Sequence, residues 1–528
     1  MISRRLLLTG ATSGAALTIA GCTLQPRDDD TPPRLPPNEH RIVASRLTAD
    51  LVLPPGPDGA LATSRALLAA ATAVVVIGPG AGTTTPTPAT PTPTAKPART
   101  ATPAASPSAQ PARPDPHLTA TAAQVARDLG LPFFAWSPGL IAELDRLQTR
   151  TVIAYDAEGL DFGSREVIPG PAEAAEVSLP GLPATPPGSD GLSFAHGEIA
   201  APTATTLAAA GLRPLGIPVP HPGADLTSTA HVRAHQGPVV AIGEGFGDDQ
   251  QFATQVKVTR TAPEFPGGGV VPFPGRHMIA LYGHPSTPAL GMMGEQPPAA
   301  AVARLTKLVD QYKPLITDDE VMGAFEIITT VASAQAGGDG DYSHETPIEQ
   351  LMPWIEAAEK AGIYVVLDLQ PGRTDFLTQA KRYEELLRRP RVGLALDPEW
   401  RLRPDGRHLV SIGQVGVDEV NRVGTWLADL VQAHELPPKV LILHQFQTRM
   451  ITERARLDTT RPEVQYLVHV DGQGSQGDKQ NTWAAIRANL PARTWLGWKN
   501  FEDEDAPMLT PAQTVAQVRP TPQFISYQ

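Results

Sequence analysis

The chain has 528 residues, 41% of them hydrophobic, with 56 prolines and 46 glycines; it is long enough for two or more domains with sizeable cores, and the proline and glycine excess points to linkers and turns. A net charge of −12, from 43 basic and 55 acidic residues, excludes a general nucleic-acid surface or a polybasic membrane surface, which need clustered Lys and Arg. The single cysteine excludes an intramolecular disulfide, a multi-thiolate metal site and a redox pair.

Residues 1–21 read as a signal peptide. Arg4 and Arg5 precede an apolar run from Leu6 to Ala20, 15 residues long, against the roughly 20 that span a bilayer as a helix. The ending Thr18-Ile19-Ala20-Gly21-Cys22 resembles a bacterial lipobox. That resemblance implies cleavage before Cys22 and a diacylated, palmitate-bearing cysteine, and so a lipoprotein held at the extracytoplasmic face of a bacterial membrane by its N-terminal lipid. Ser3-Arg4-Arg5-Leu6-Leu7-Leu8 also resembles a twin-arginine export signal.

Residues 22–37 form a tether with five prolines, too polar and broken to pack. Residues 38–250 read as a Rossmann-like parallel α/β domain, because apolar strands alternate with amphipathic helices. The pattern predicts helices over 63–71, 119–129, 138–147 and 203–210, and strands over 74–77, 132–136, 151–155, 213–217 and 239–242. Residues 83–116 interrupt it with ten prolines and nine threonines in 34 residues, a disordered, extended insertion. The run Gly243-Glu244-Gly245-Phe246-Gly247 lacks dinucleotide spacing, and its acidic neighbours would repel a pyrophosphate, so it reads as a strand-to-helix turn. The order of helix, Gly-x-Pro, apolar strand, helix and strand from Thr121 to Gly159 resembles the type-2 cell-wall-binding repeats of bacterial surface proteins, which implies a wall glycan as partner.

Residues 251–275 are expected to be a linker, with Pro266 to Pro274 its clearest part. From Arg276 eight apolar runs follow: 278–282, 324–329, 363–367, 392–396, 440–443, 465–468, 494–497 and 524–527. Most gaps carry a helical pattern. Eight strand-then-helix units in about 250 residues have the size and rhythm of a (β/α)8 TIM barrel over 276–528.

Active sites of such barrels lie at the C-terminal strand ends, and polar residues gather there. Tyr282 and His284 follow the first run, and Asp368, Gln370 and Arg373 the third. Asp397, Glu399 and Trp400 follow the fourth, His444 and Gln445 the fifth, and His469 and Asp471 the sixth. Trp498, Lys499, Asn500 and Glu502 follow the seventh, and Tyr527 ends the eighth. Glycoside hydrolysis needs one carboxylic acid to protonate the leaving oxygen and one carboxylate to attack or to activate water. Glu399 and Glu502 offer that pair, with Asp397 and Asp368 as further candidate catalytic carboxylates. The remaining residues are candidate substrate contacts, the aromatic ones offering flat faces to sugar rings. Carboxylates after strands four and seven resemble the clan of retaining TIM-barrel glycosidases, and Asp397-x-Glu399 resembles the carboxylate pair of muramidase-type barrels. Both resemblances imply a polysaccharide substrate.

No cofactor is required by that chemistry, although a divalent metal activating water is a second reading. His284, His444 and His469 with Asp368, Asp397 and Asp471 supply ligand types for it, in partial resemblance to the amidohydrolases. A carbohydrate-binding surface protein without activity is a third. No Gly-x-Ser-x-Gly nucleophile elbow occurs. The stretches YGHP (282–285), VLDLQPGRTDF (366–376), LALDPEW (394–400), LVHVDGQG (467–474) and GWKNFEDED (497–505) resemble those of an uncharacterised group of bacterial surface lipoproteins with a glycosidase-like barrel.

Overall fold

The computed structural model describes residues 39–80, 114–182, 191–408, 410 and 412–528. The signal peptide, Cys22, the tether and residues 83–113 of the Thr/Pro-rich insertion lie outside them. Among the described residues no helix is long and apolar enough to cross a membrane.

Two four-stranded parallel sheets organise the N-terminal half. One runs Phe133–Ala135, Ala73–Ile77, Thr151–Tyr155, Glu166–Pro169, and the other Leu51–Leu53, Val239–Ile242, Leu192–Ala195, Leu215–Gly216. The central strands Ala73–Ile77 and Val239–Ile242 are buried along their whole length, as continuous apolar runs in a parallel sheet should be. The helix expected over 63–71 ends at Leu67. Leu68–Ala71 forms a strand paired antiparallel with Ile42–Ala44, because this buried apolar run gains more from the sheet than from one further helical turn. The strand expected over 213–217 shrinks to Leu215–Gly216, since Pro214 and Pro218 on either side cannot donate to a ladder. The insertion's last residues already belong to the next helix, Pro116–Leu129, whose N-cap Asp115 accepts from the His117 and Leu118 amides. The 243–247 glycine run is a strand-to-helix turn into the helix Asp249–Thr261, with Asp248 and Gln251 forming a reciprocal cap.

The C-terminal half is a closed barrel of eight parallel strands: β1 Arg276–Gly283, β2 Glu320–Ala332, β3 Tyr364–Leu369, β4 Val392–Leu396, β5 Lys439–His444, β6 Val464–Val470, β7 Thr494–Asn500 and β8 Phe524–Tyr527. All eight apolar runs fall on these strands. β1 closes the ring by pairing with β8 on one side and with β2 on the other, in register from Arg276 opposite Glu320 to Gly283 opposite Ile327. The helices Pro298–Tyr312, Ile348–Ala361, Val417–Ala433 and Gln476–Arg487 contribute to the outer layer, their apolar faces buried with the outward strand residues in one large cluster.

The segment expected to be a linker is folded. Its first half completes the Asp249–Thr261 helix. Phe265 and Phe273 join Met278, Met322, Tyr364, Val440 and Phe524 in the cluster that fills the barrel interior. The Arg276 guanidinium donates to the carbonyls of Pro266, Gly268, Val271 and Pro272. Glycine and proline therefore mark a tightly held turn under the barrel, and two aromatic rings within it supply the apolar area that closes the floor.

Candidate active site

Alternation along the strands decides which side chains meet. The interior cluster contains Met278 and Ala280 of β1, Met322 and Ala324 of β2, Tyr364 and Val366 of β3, Ala395 of β4, Val440 and Ile442 of β5, Leu467 of β6 and Phe524 of β8. Two residues further up each strand, on the same parity, stand Tyr282, Glu326, Asp368, Asp397, His444, His469 and Ser526, with Asp471 above His469 and Lys499 after Trp495 and Gly497 on β7. An apolar plug below thus gives way to a polar layer at the mouth.

Glu326 is absent from the expected site, yet it lies at the centre of this layer, fully buried. Its Oε1 is 2.9 Å from His444 Nε2 and 3.7 Å from His469 Nδ1. The other His444 nitrogen, Nδ1, is 2.9 Å from Asp471 Oδ2, and Asp368 Oδ1 is 3.8 Å from His444 Nε2. Asp368 accepts from the Tyr282 hydroxyl at 2.9 Å, and Tyr282 in turn lies 3.4 Å from Gln370 Nε2. His469 Nε2 is 3.1 Å from Ser526 Oγ. The Lys499 ammonium sits 3.4 Å from the centre of the Tyr282 ring, a cation–π contact in the barrel mouth.

Five carboxylates share this space with His444, His469 and Lys499, and their mutual charges and burial govern the protons of the layer. Burial and the charge of Glu399 push Asp397 well above the usual carboxylate range. Burial moves Asp368 up to about 6, with Glu326 adding to it and His444 and Lys499 opposing. Burial and the charge of Asp471 move Glu399 up to about 7, against Lys499 and His444. Burial alone would neutralise His444, but Glu326, Asp471 and Asp368 raise it well above an ordinary histidine. Burial lowers His469. Four buried atoms in the layer have no hydrogen-bond partner among the described residues: Glu326 Oε2, Asp368 Oδ1, His469 Nδ1 and Asp471 Oδ1.

Glu399 sits at the rim, half-buried on the short helical turn Pro398–Trp400 after β4, where the Asp397 carboxylate accepts from its amide. Trp400 and Phe446 are half-buried rim aromatics, Trp400 packing edge-on to His408. His284, paired with Thr346 and Ser286, and Arg373, lying over the Tyr342 ring and donating to Gly406 O, belong to the surrounding loops.

Other expected site residues lie elsewhere. Glu502 is half-exposed, 3.5 Å from Arg304 of the outer helix Pro298–Tyr312, and so is drawn to the barrel's outside. Trp498, Asn500 and Tyr527 have the outward parity: the Trp498 indole donates to Asn500 Oδ1 and packs on Trp483, and the Tyr527 hydroxyl is 2.6 Å from that of Tyr312. Gln445 is buried beneath its own loop, donating to the Gln447 and Thr448 carbonyls and accepting from Arg454. These five residues hold structure; none faces the polar layer.

No protein-family model and no curated protein matches the chain.

Proposed function

We propose that the protein is an exported, lipid-anchored hydrolase of polysaccharide, with a glycosidase-like site at the barrel mouth. The observation that carries the reading is a pair of carboxyl groups just after β4 and β6 with different surroundings. Glu399 is at the solvent-facing rim, its carboxyl raised to about 7 by burial and Asp471. Asp471 is buried with Oδ2 engaged by His444 and Oδ1 without a hydrogen-bond partner among the described residues. A carboxyl protonated near neutrality can deliver its proton to a leaving glycosidic oxygen, and a carboxylate with one oxygen fixed and one free can activate water or attack. Asp471 takes the place that the sequence assigned to Glu502. Trp400 and Phe446 offer rim surfaces for sugar rings, and Lys499 can hold a hydroxyl beside Tyr282. Export and anchoring rest on the Arg4-Arg5 and Cys22 segment, and the resemblance to surface lipoproteins and wall-binding repeats supports an envelope glycan as substrate.

Purified protein incubated with a panel of wall and capsule polysaccharides should release reducing ends, and Glu399→Gln and Asp471→Asn should each abolish this while retaining binding. Saturable binding without cleavage by the wild type reduces the reading to a carbohydrate binder; cleavage that survives in the double variant ends it. Loss of the protein from the membrane fraction in Cys22→Ala tests the anchor.

A further inference from the structure

We propose that Glu326, His444 and His469 are the protein ligands of a divalent transition-metal ion, zinc foremost, at the base of the mouth, with the Asp368 carboxylate beside them. The separations are 2.9 Å between His444 Nε2 and Glu326 Oε1, 3.7 Å between His469 Nδ1 and Glu326 Oε1, and 3.8 Å between His444 Nε2 and Asp368 Oδ1. Ligands at about 2.0–2.2 Å in a tetrahedron stand about 3.3–3.6 Å apart, and the two Glu326–histidine separations lie on either side of that range. Glu326, His444 and His469 also converge as a group, their ligand atoms within 4.8 Å of one another, all three buried.

Two further features separate a metal site from a chance gathering of charge. Each histidine has its far nitrogen engaged: His444 Nδ1 by Asp471 at 2.9 Å and His469 Nε2 by Ser526 at 3.1 Å. Such outer partners fix the tautomer that presents a lone pair inward, and metal-bound histidines almost always have one. The unpartnered atoms are the second feature. A doubly protonated His444 between Glu326 and Asp471 would satisfy one oxygen of each. It would leave His469 Nδ1, Asp368 Oδ1 and Glu326 Oε2 bare in a fully buried layer, at a cost of about 1–3 kcal/mol for each. A cation held by Glu326 and the two histidines takes the His469 Nδ1 lone pair directly and places positive charge beside the unpartnered carboxylate oxygens. Mixed imidazole and carboxylate donors suit zinc and its neighbours rather than calcium or magnesium, which prefer oxygen alone. His284, a ligand candidate on sequence grounds, is excluded because both its nitrogens face Ser286 and Thr346.

The site stands apart from the glycosidase reading, because it is tested without substrate. The full chain, purified in detergent and stripped with a strong chelator, should take up one equivalent of zinc by titration calorimetry. Cobalt should give the intense visible absorption of a four-coordinate ion. His469→Ala and Glu326→Gln should each weaken uptake at least 100-fold. Asp339→Asn, which alters the separate, partly exposed acidic group of Asp339, Asp341 and Glu345, should leave it unchanged. X-ray absorption of the zinc-loaded wild type should show two imidazole ligands, a readout that stands even if a variant fails to fold. Failure of the stripped wild type to bind stoichiometrically, a bound ion lacking imidazole, or undiminished uptake in folded His469→Ala and Glu326→Gln would overturn the assignment.

Discussion

At the floor of the barrel, Arg276 and Lys439 are as deeply buried as the carboxylates and histidines at its mouth, but their hydrogens are spoken for by backbone. Arg276 binds four carbonyls of the 266–272 turn, and Lys439 Nζ donates to Arg389 O and Val392 O at 2.8 Å each. At the mouth, side chains face one another, and four atoms have no hydrogen-bond partner among the described residues. Polar groups that answer backbone hold a fold together; polar groups kept from full pairing are free to receive a ligand or move a proton. One barrel does both because its interior parity runs through an apolar plug that separates the two ends.

The contrast can be broken at either end. The largest effect is expected from Glu399→Gln, which should lower kcat on a cleavable polysaccharide by about 10²–10⁴, while the urea midpoint stays level or rises because one like charge has gone. A lower midpoint with unchanged kcat would make Glu399 a floor-type residue. Next comes Arg276→Met, which strands four buried carbonyls and should cost about 3 kcal/mol or more in urea unfolding; a loss under about 1 kcal/mol would mean that the turn needs no clamp.

The two ends should also respond to pH differently. At the mouth, the acid must hold its proton, so turnover should fall as pH rises through about 7, where Glu399 ionises. At the floor, burial depresses Lys439 from 10.5 to about 7. Between those values the unfolded chain binds a proton that the folded chain does not, so this lysine's contribution to stability rises with pH across the window and is lost as pH falls toward 7. Lys439→Met should flatten that dependence in urea titrations between pH 7 and 10; a slope identical to wild type would assign it to other groups. The smallest effect belongs to Glu502→Gln. Its half-exposed contact with Arg304 is worth at most about 1 kcal/mol, and kcat should stay within about twofold. A collapse of activity would restore Glu502 to the catalytic pair.

The barrel was legible in the sequence because each strand is an apolar run separated from the next by a helical pattern, and a parallel closed sheet requires that rhythm. Asp368, Asp397, Glu399, His444, His469, Asp471 and Lys499 were legible because the C-terminal strand ends form the mouth. Glu326 was not, because it lies inside a run read as apolar. A lone carboxylate two places beyond Ala324, and four beyond Met322, carries the signal, since strand parity assigns it to the interior. The same parity separates Lys499, which faces in, from Trp498 and Asn500, which face out; proximity in sequence treats all three as one strand end. Glu502 lies beyond the strand in a loop whose direction the pattern does not encode, and an arginine on the first barrel helix decides it. The 266–274 turn misleads for a related reason: glycine and proline are common to slack connections and to tight ones, and only the guanidinium next to it tells which.

That turn changes how the protein should meet a protease. Gly267, Gly268, Gly269 and the prolines around them spell out an easily nicked joint between two lobes, but a protease needs the peptide bond drawn out into an extended strand. Here the carbonyls are gripped by Arg276 and the flanking rings of Phe265 and Phe273 are wedged into the barrel. Cutting at this place requires the barrel floor to open first, so the two lobes should survive digestion as one piece, and the visible joint in the sequence becomes one of the last to be severed.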